Sequence, residues 1–149
     1  MPDWVSAAFT DYARRLPAEC SLHLHEVEPG RRSKSQSIER AMAEESERLL
    51  RVIDKVIPKA ALVIALDERG KSLTSTALAQ HMQAWLPMGR DVVLMVGGAD
   101  GLTAECLQRA EWRWSLSKLT LPHAMVRVLL AEQLYRAWSI LNNHPYHRE

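Results

Sequence analysis

Residues 60–66 read AALVIAL and residues 91–96 read DVVLMV. Neither run alternates. Each is apolar at consecutive positions, so both faces of the extended chain must be covered, as in the middle of a parallel sheet. Between them, Asp67-Glu68-Arg69-Gly70 turns the chain into a helix predicted over about residues 75–86, with Leu78, Met82, Trp85 and Leu86 inward. After the second run comes Gly97-Gly98-Ala99-Asp100-Gly101, and Thr103 can cap a short helix over about 104–111. WSLS at 114–117 reads as a short strand, and Pro122 opens a long final helix to about Leu141.

Upstream, Asp3 can cap a helix over about 4–16 whose stripe is Val5, Phe9, Tyr12, Ala13 and Leu16, with Pro17 ending it. SLHLHEV at 21–27 alternates like a half-buried strand, Leu22 and Leu24 against His23 and His25. Pro29-Gly30 opens a basic, serine-rich loop. A helix follows from about Ser37 to Val56, with Ile38, Met42, Leu49, Ile53 and Val56 on one stripe and Pro58 just beyond. Strands alternating with helices define an α/β fold with a largely parallel sheet flanked by helices.

At 149 residues the chain suits one domain spanning 1–149. Its 47% hydrophobic and 25% charged residues exclude a disordered chain. No apolar run is long enough to span a membrane, and Met1-Pro2-Asp3-Trp4 lacks the basic and apolar regions of a secretory signal. Two distant cysteines, Cys20 and Cys106, fit a reducing cytoplasm. The net charge of +1 hides an uneven distribution: residues 31–60 hold eight basic against five acidic side chains, and residues 101–149 six against four. That permits a basic face for phosphate, or a set of solvated helix faces.

In an open parallel sheet, ligands lie beyond the carboxyl ends of the strands. Three such ends stand out: Leu66 through Gly70, Gly97 through Gly101, and Ser117 through Pro122. GGADG matches neither nucleotide fingerprint, and Asp100 and Glu105 oppose phosphate, so the loop suits a neutral or cationic ligand, or none. Cys106, in the first turn of its helix, is a candidate nucleophile with His81 or His123, or a buried small side chain. His23-x-His25 and His144-x-x-His147 lack a companion ligand at metal spacing, so no metal is expected. The NNHPYHRE tail offers His147 for proton exchange, Tyr146 for base stacking and Arg148 for phosphate, or is an ordered packing tail. The last helix adds Val126, Leu129, Leu130, Leu134, Ala137, Trp138 and Leu141, flanked by Met125 and Ile140. That stripe is wide enough for a second copy, or for simple core packing.

VGGADGL at 96–102, SLSKLTLPHAMVRVLLAEQLYRAWSI at 115–140 and NHPYHRE at 143–149 resemble the ribosomal RNA large subunit methyltransferase H family, of the knotted SPOUT superfamily. MPDWV at the start and LDERGK at 66–71 fit the same family, so the likeness spans essentially the whole chain. The resemblance implies a C-terminal deep trefoil knot, a homodimer, S-adenosyl-L-methionine as donor, and methylation at N3 of a pseudouridine in a large-subunit rRNA stem-loop. It implies cofactor contacts at Leu66, Gly97 and Gly98, and at Leu116, Ser117, Lys118, Leu119, Thr120 and Leu121. His147 is the expected base, with Tyr146 and Arg148 on the RNA and Arg127 and Arg136 as weaker contacts. Family members usually begin one short strand earlier, so a first strand is expected to be missing. A non-catalytic RNA- or ribosome-binding module and a small-molecule enzyme using Cys106 are the competing functions.

Overall fold

The computed structural model describes residues 2–57 and 62–146. These gather into two compact units, one of residues 2–24, 73–89 and 124–146, the other of residues 25–57, 62–72 and 90–123.

The second unit holds the sheet. Strands β1 (Leu62–Ser72), β2 (Val92–Met95) and β3 (Trp112–Ser115) are all parallel, in the order β2-β1-β3. β1 is central as expected, and Leu62 through Ala65 are buried on both faces. The 91–96 run forms its strand but is not fully buried. Val92, Val93 and Leu94 are half-buried because β2 ends the sheet, with no further neighbour among the described strands. β3 begins and ends ahead of the expected 114–117, with Trp114 and Ser115 buried.

β1 is not a plain strand. Its ladder with β3 pairs Leu66 with Trp114, then resumes with Lys71 opposite the same Trp114. Asp67–Gly70 therefore leaves the ladder and rejoins it, an enlarged bulge. The Arg69 amide donates to Asp67 Oδ1 at 3.3 Å within it. Gly70 then passes so close to β3 that a Cβ would stand 2.6 Å from the Arg113 carbonyl carbon.

Helix α2 (Ile38–Val56) starts at Ser37, whose Oγ accepts from the Arg40 amide at 3.2 Å. Its Ile53, with Leu49 and Leu50, packs on Val63, Ala65 and Met95, and Cys106 of helix α4 (Ala104–Arg109) completes that core. Two members of the expected stripe, Ile38 and Val56, are exposed. Both stand at the ends of the 19-residue helix, whose contacts with the core come from Leu49, Leu50 and Ile53.

Residues 21–27 form no strand. A 3₁₀ turn, Ala18–Cys20, leads into irregular chain, and Leu24 is exposed. Alternation creates a strand only where a neighbour supplies backbone partners, and none of the three strands pairs here.

The first unit contains α1 (Asp3–Arg15), α3 (Ser75–Trp85) and α5 (His123–Leu141). Thr74 caps α3 by accepting from the Ala77 amide at 3.0 Å, and Ser75 Oγ donates to Gln133 Oε1 of α5 at 2.7 Å. Leu78, Met82 and Trp85 are buried. Leu86 is exposed, because the chain tightens there into a 3₁₀ turn, Leu86–Met88, that rotates it off the stripe. α5 ends with Asn143 at φ 52 and the His144 amide on the Ser139 carbonyl at 2.9 Å, a left-handed C-cap.

Candidate active site

Because the strands are parallel, the loops at 66–70, 97–101 and 116–121 share one edge of the sheet. The first and third touch: Thr120 Oγ1 donates to Glu68 Oε2 at 3.2 Å. The third is shaped by its serines. Ser115 Oγ donates to the Ser117 carbonyl at 2.9 Å, and Ser117 Oγ accepts from the Leu119 amide at 2.9 Å. Leu66, Leu116, Ser117 and Leu121 are half-buried, Lys118 and Thr120 exposed, and Leu119 projects with 73% of its surface open.

The middle loop is a tight glycine turn. The Gly101 amide donates to the Gly98 carbonyl at 3.1 Å, and Gly101 takes φ 85. A Cβ on Gly97 would stand 2.6 Å from the Gly101 carbonyl carbon. The turn thus presents backbone, not side chain, at the sheet edge.

Behind the turn lies a network that periodicity concealed. Glu45 is 5% exposed although it is an acid. Its Oε2 accepts from the Gly30 amide at 2.9 Å and from Arg32 at 2.7 Å, while Oε1 accepts from Arg32 at 3.2 Å. Arg32 Nε then donates to Asp100 in the glycine turn at 2.8 Å. Burial pushes the Glu45 carboxyl up, but the bonds from Arg32 and Gly30 outweigh it and hold the pKa below its usual value. The neighbouring Ser46 is buried too. Thr103 Oγ1 donates to its Oγ at 2.8 Å, and the Cys106 sulfur lies 3.2 Å from it. Consecutive residues of α2 thus hold both sides of the 97–106 segment. One sequence signal existed: Glu45 falls between Met42 and Leu49 on an otherwise apolar stripe.

Cys106 is fully buried in the core, which removes it as a nucleophile and with it the small-molecule enzyme built on it. His23 and His25 are exposed on irregular chain rather than on one face of a strand. Among the described residues, no three His, Cys, Asp or Glu side chains are grouped to hold a metal. No helix among them is long and apolar enough to cross a membrane.

Of the tail, Tyr146 is described, whereas His147 and Arg148 lie outside the described residues. The Tyr146 ring meets Tyr135 edge-on at 4.7 Å, and the Arg136 guanidinium lies 5.1 Å from its centroid. Its hydroxyl donates to Glu132 Oε2 at 2.8 Å and is 3.3 Å from the Tyr12 hydroxyl. Burial, with these two bonds, raises the phenol pKa far above its usual value, so Tyr146 stays protonated and is not itself the base. Arg136 is paired with Glu132 at 2.8 Å, and Arg127 is half-buried on α5. Tyr146→Phe is expected to cost about 1 kcal/mol, read from the urea midpoint. An unchanged midpoint would mean the Glu132 bond does not form in solution.

Residues 1–147 match the family described as "Predicted SPOUT methyltransferase". The chain belongs to that family. Three relatives are named Ribosomal RNA large subunit methyltransferase H. That of Hydrogenovibrio crunogenus is 52% identical over 149 residues, covering 100% of this chain and 93% of the relative. That of Janthinobacterium sp. (strain Marseille) is 54% identical over 148 residues, covering 99% and 92%. That of Bordetella pertussis is 53% identical over 148 residues, with the same coverage of 99% and 92%. In this SPOUT methyltransferase the candidate site is the sheet edge where the 67–70 excursion of β1 meets the segments that follow β2 and β3.

Proposed function

We propose that this SPOUT methyltransferase transfers a methyl group from S-adenosyl-L-methionine to N3 of a pseudouridine in a large-subunit rRNA stem-loop, on the assembled ribosome. The observation that carries the reading is the set of three loops along one sheet edge, in a chain over half identical to the named rRNA methyltransferases. The residues there fit such a donor. Leu66, Leu116, Leu119 and Leu121 offer apolar walls, and Gly97 and Gly98 leave backbone free to approach. The donor supplies a methyl carbon on a sulfonium, a cation that tolerates the acidic side chains of this edge.

The imide nitrogen must lose its proton as the carbon–sulfur bond breaks and the carbon–nitrogen bond forms. His147 takes that proton, directly or through water, and Arg148 and Tyr146 hold the RNA. Positioning supplies most of the rate. The half-buried Val126, Leu129, Trp138 and Ile140 of α5 support a homodimer. The same reading carries the superfamily's trefoil knot and a cytoplasmic setting.

The test is methyl transfer by the purified chain to ribosomes lacking the modification, against free rRNA, with mass spectrometry of the digested nucleosides. Methylpseudouridine on ribosomes is expected; none on either substrate sinks the proposal. His147→Ala should lower turnover and leave donor affinity intact, and unchanged turnover would remove the tail from the chemistry.

A further inference from the structure

We infer that Arg32 is a positioning residue for the methyl-donor turn, latching Gly97–Gly101 to the buried Glu45 through Asp100. The inference rests on the proposal that this turn receives the donor.

Three observations carry it. First, the turn has little of its own to fix it: it closes on one short bridge between Gly98 and Gly101, and three of its five residues are glycine. Such a segment samples many backbone states unless held from outside. Second, Arg32 is itself fixed. Its guanidinium bonds both oxygens of Glu45 and the Gly30 carbonyl at 3.1 Å, so Nε is presented to Asp100 rather than swinging in solvent. Third, Glu45 lies directly under the turn, where a Cβ on Gly98 would stand 3.0 Å from its Oε1. The same carboxylate therefore anchors the arginine and supports the glycine it steers.

The loop bearing Arg32 is held by α2 as well. Arg48 donates to the Glu28 and Pro29 carbonyls at 3.0 Å each, and Gln36 donates to the Arg31 carbonyl at 2.6 Å and to Glu44. The latch thus runs from a rigid helix through a braced loop to a pliable turn. A preorganised turn binds a ligand without first losing its own freedom, so the latch acts on donor affinity rather than on the methyl-transfer step.

Asp100→Ala is the clean variant, because it removes the acceptor of the outer link and leaves the Arg32–Glu45 pair and its burial intact. Arg32→Lys and the double variant Arg32→Lys/Asp100→Ala accompany it. Each is measured for S-adenosylmethionine affinity by calorimetry, for KM and kcat, for amide exchange of residues 97–103 without donor, and for melting temperature. Expected are about a tenfold loss of affinity and a matching rise in donor KM, which is about 1.4 kcal/mol. Turnover at saturating donor stays near wild type, the melting temperature holds in Asp100→Ala and falls only where Arg32 is replaced and Glu45 loses its two-pronged partner, exchange of 97–103 speeds up, and donor affinity of the double variant is no worse than that of the poorer single one. A purely structural role would lower the melting temperature and leave the KM-to-kcat split untouched. Wild-type affinity in folded Asp100→Ala overturns the latch, whatever the exchange shows. A wild-type chain that takes no S-adenosylmethionine overturns the donor reading and the latch with it, and the wild-type titration alone tells that failure from the other.

Discussion

Glu45→Ala is expected to lower the stability of the chain by about 2–3 kcal/mol, read as a lower urea midpoint with unchanged slope. Removing one partner of a fully buried ion pair costs roughly 3–5 kcal/mol. The smaller figure applies because Arg32 keeps 28% of its side chain exposed and still has Asp100. What cannot rehydrate is the Gly30 amide, which is buried and loses its acceptor. The melting temperature should fall by about 5–10 °C for a chain of this size. A change of under about 0.5 kcal/mol would mean that the Glu45 bonds are not made in solution.

Glu45→Gln separates charge from shape and carries a pH signature. Because the folded carboxyl lies below its unfolded value, the ionised form adds stability that is complete above the unfolded value of about 4.3. That increment is lost as the pH falls through the lower folded value. The stability gap between wild type and Glu45→Gln should therefore be flat from pH 7 to about 5 and narrow steadily below about 4.3. A gap that widened on acidification would reverse the assigned direction.

The sequence exposed what depends on local pattern. AALVIAL reads as a strand covered on both faces, and its described residues, 62–66, lie at the centre of the sheet. Thr103 caps its helix as expected, and Ser37 and Thr74 cap theirs, whereas Asp3, read as a cap, is the first residue inside α1 with Pro2 before it. Parallel order then places the three loops together. Features that depend on distant partners were hidden. SLHLHEV alternates as a strand does, yet no backbone neighbour meets it, so local pattern alone misled. The four-residue excursion in β1 is invisible because LDERGK reads as an ordinary exit from a strand, whereas the chain returns to β3 at Lys71. Arg32, Glu45 and Asp100 are spread across 68 residues, and each looks like a solvated charge until folding joins them. Only the position of Glu45 on an apolar stripe hinted at burial.

Gly30→Ala should be at least as damaging as Glu45→Ala, by about 3 kcal/mol or more. Gly30 needs no left-handed backbone; its constraint is space. A Cβ would stand 2.0 Å from the Ala41 carbonyl oxygen and 2.6 Å from its carbon, closer than any contact between nonbonded atoms. The obstacle is helix backbone, which cannot step aside as the end of a side chain can. Relief must come from lifting the loop off α2, which breaks the Gly30 bond to Glu45 and draws Arg32 away from both of its carboxylates. Overpacking of this kind costs roughly 1–3 kcal/mol, and the lost buried bond adds about 1–3 more. The effect reaches the site as well, since a displaced Arg32 no longer holds Asp100 and donor affinity falls alongside stability. Ala41→Gly in the same chain tests the cause. Because the clash is with the Ala41 backbone and not its methyl group, the double variant should recover nothing, and recovery of the urea midpoint would show that the side chain was the obstacle.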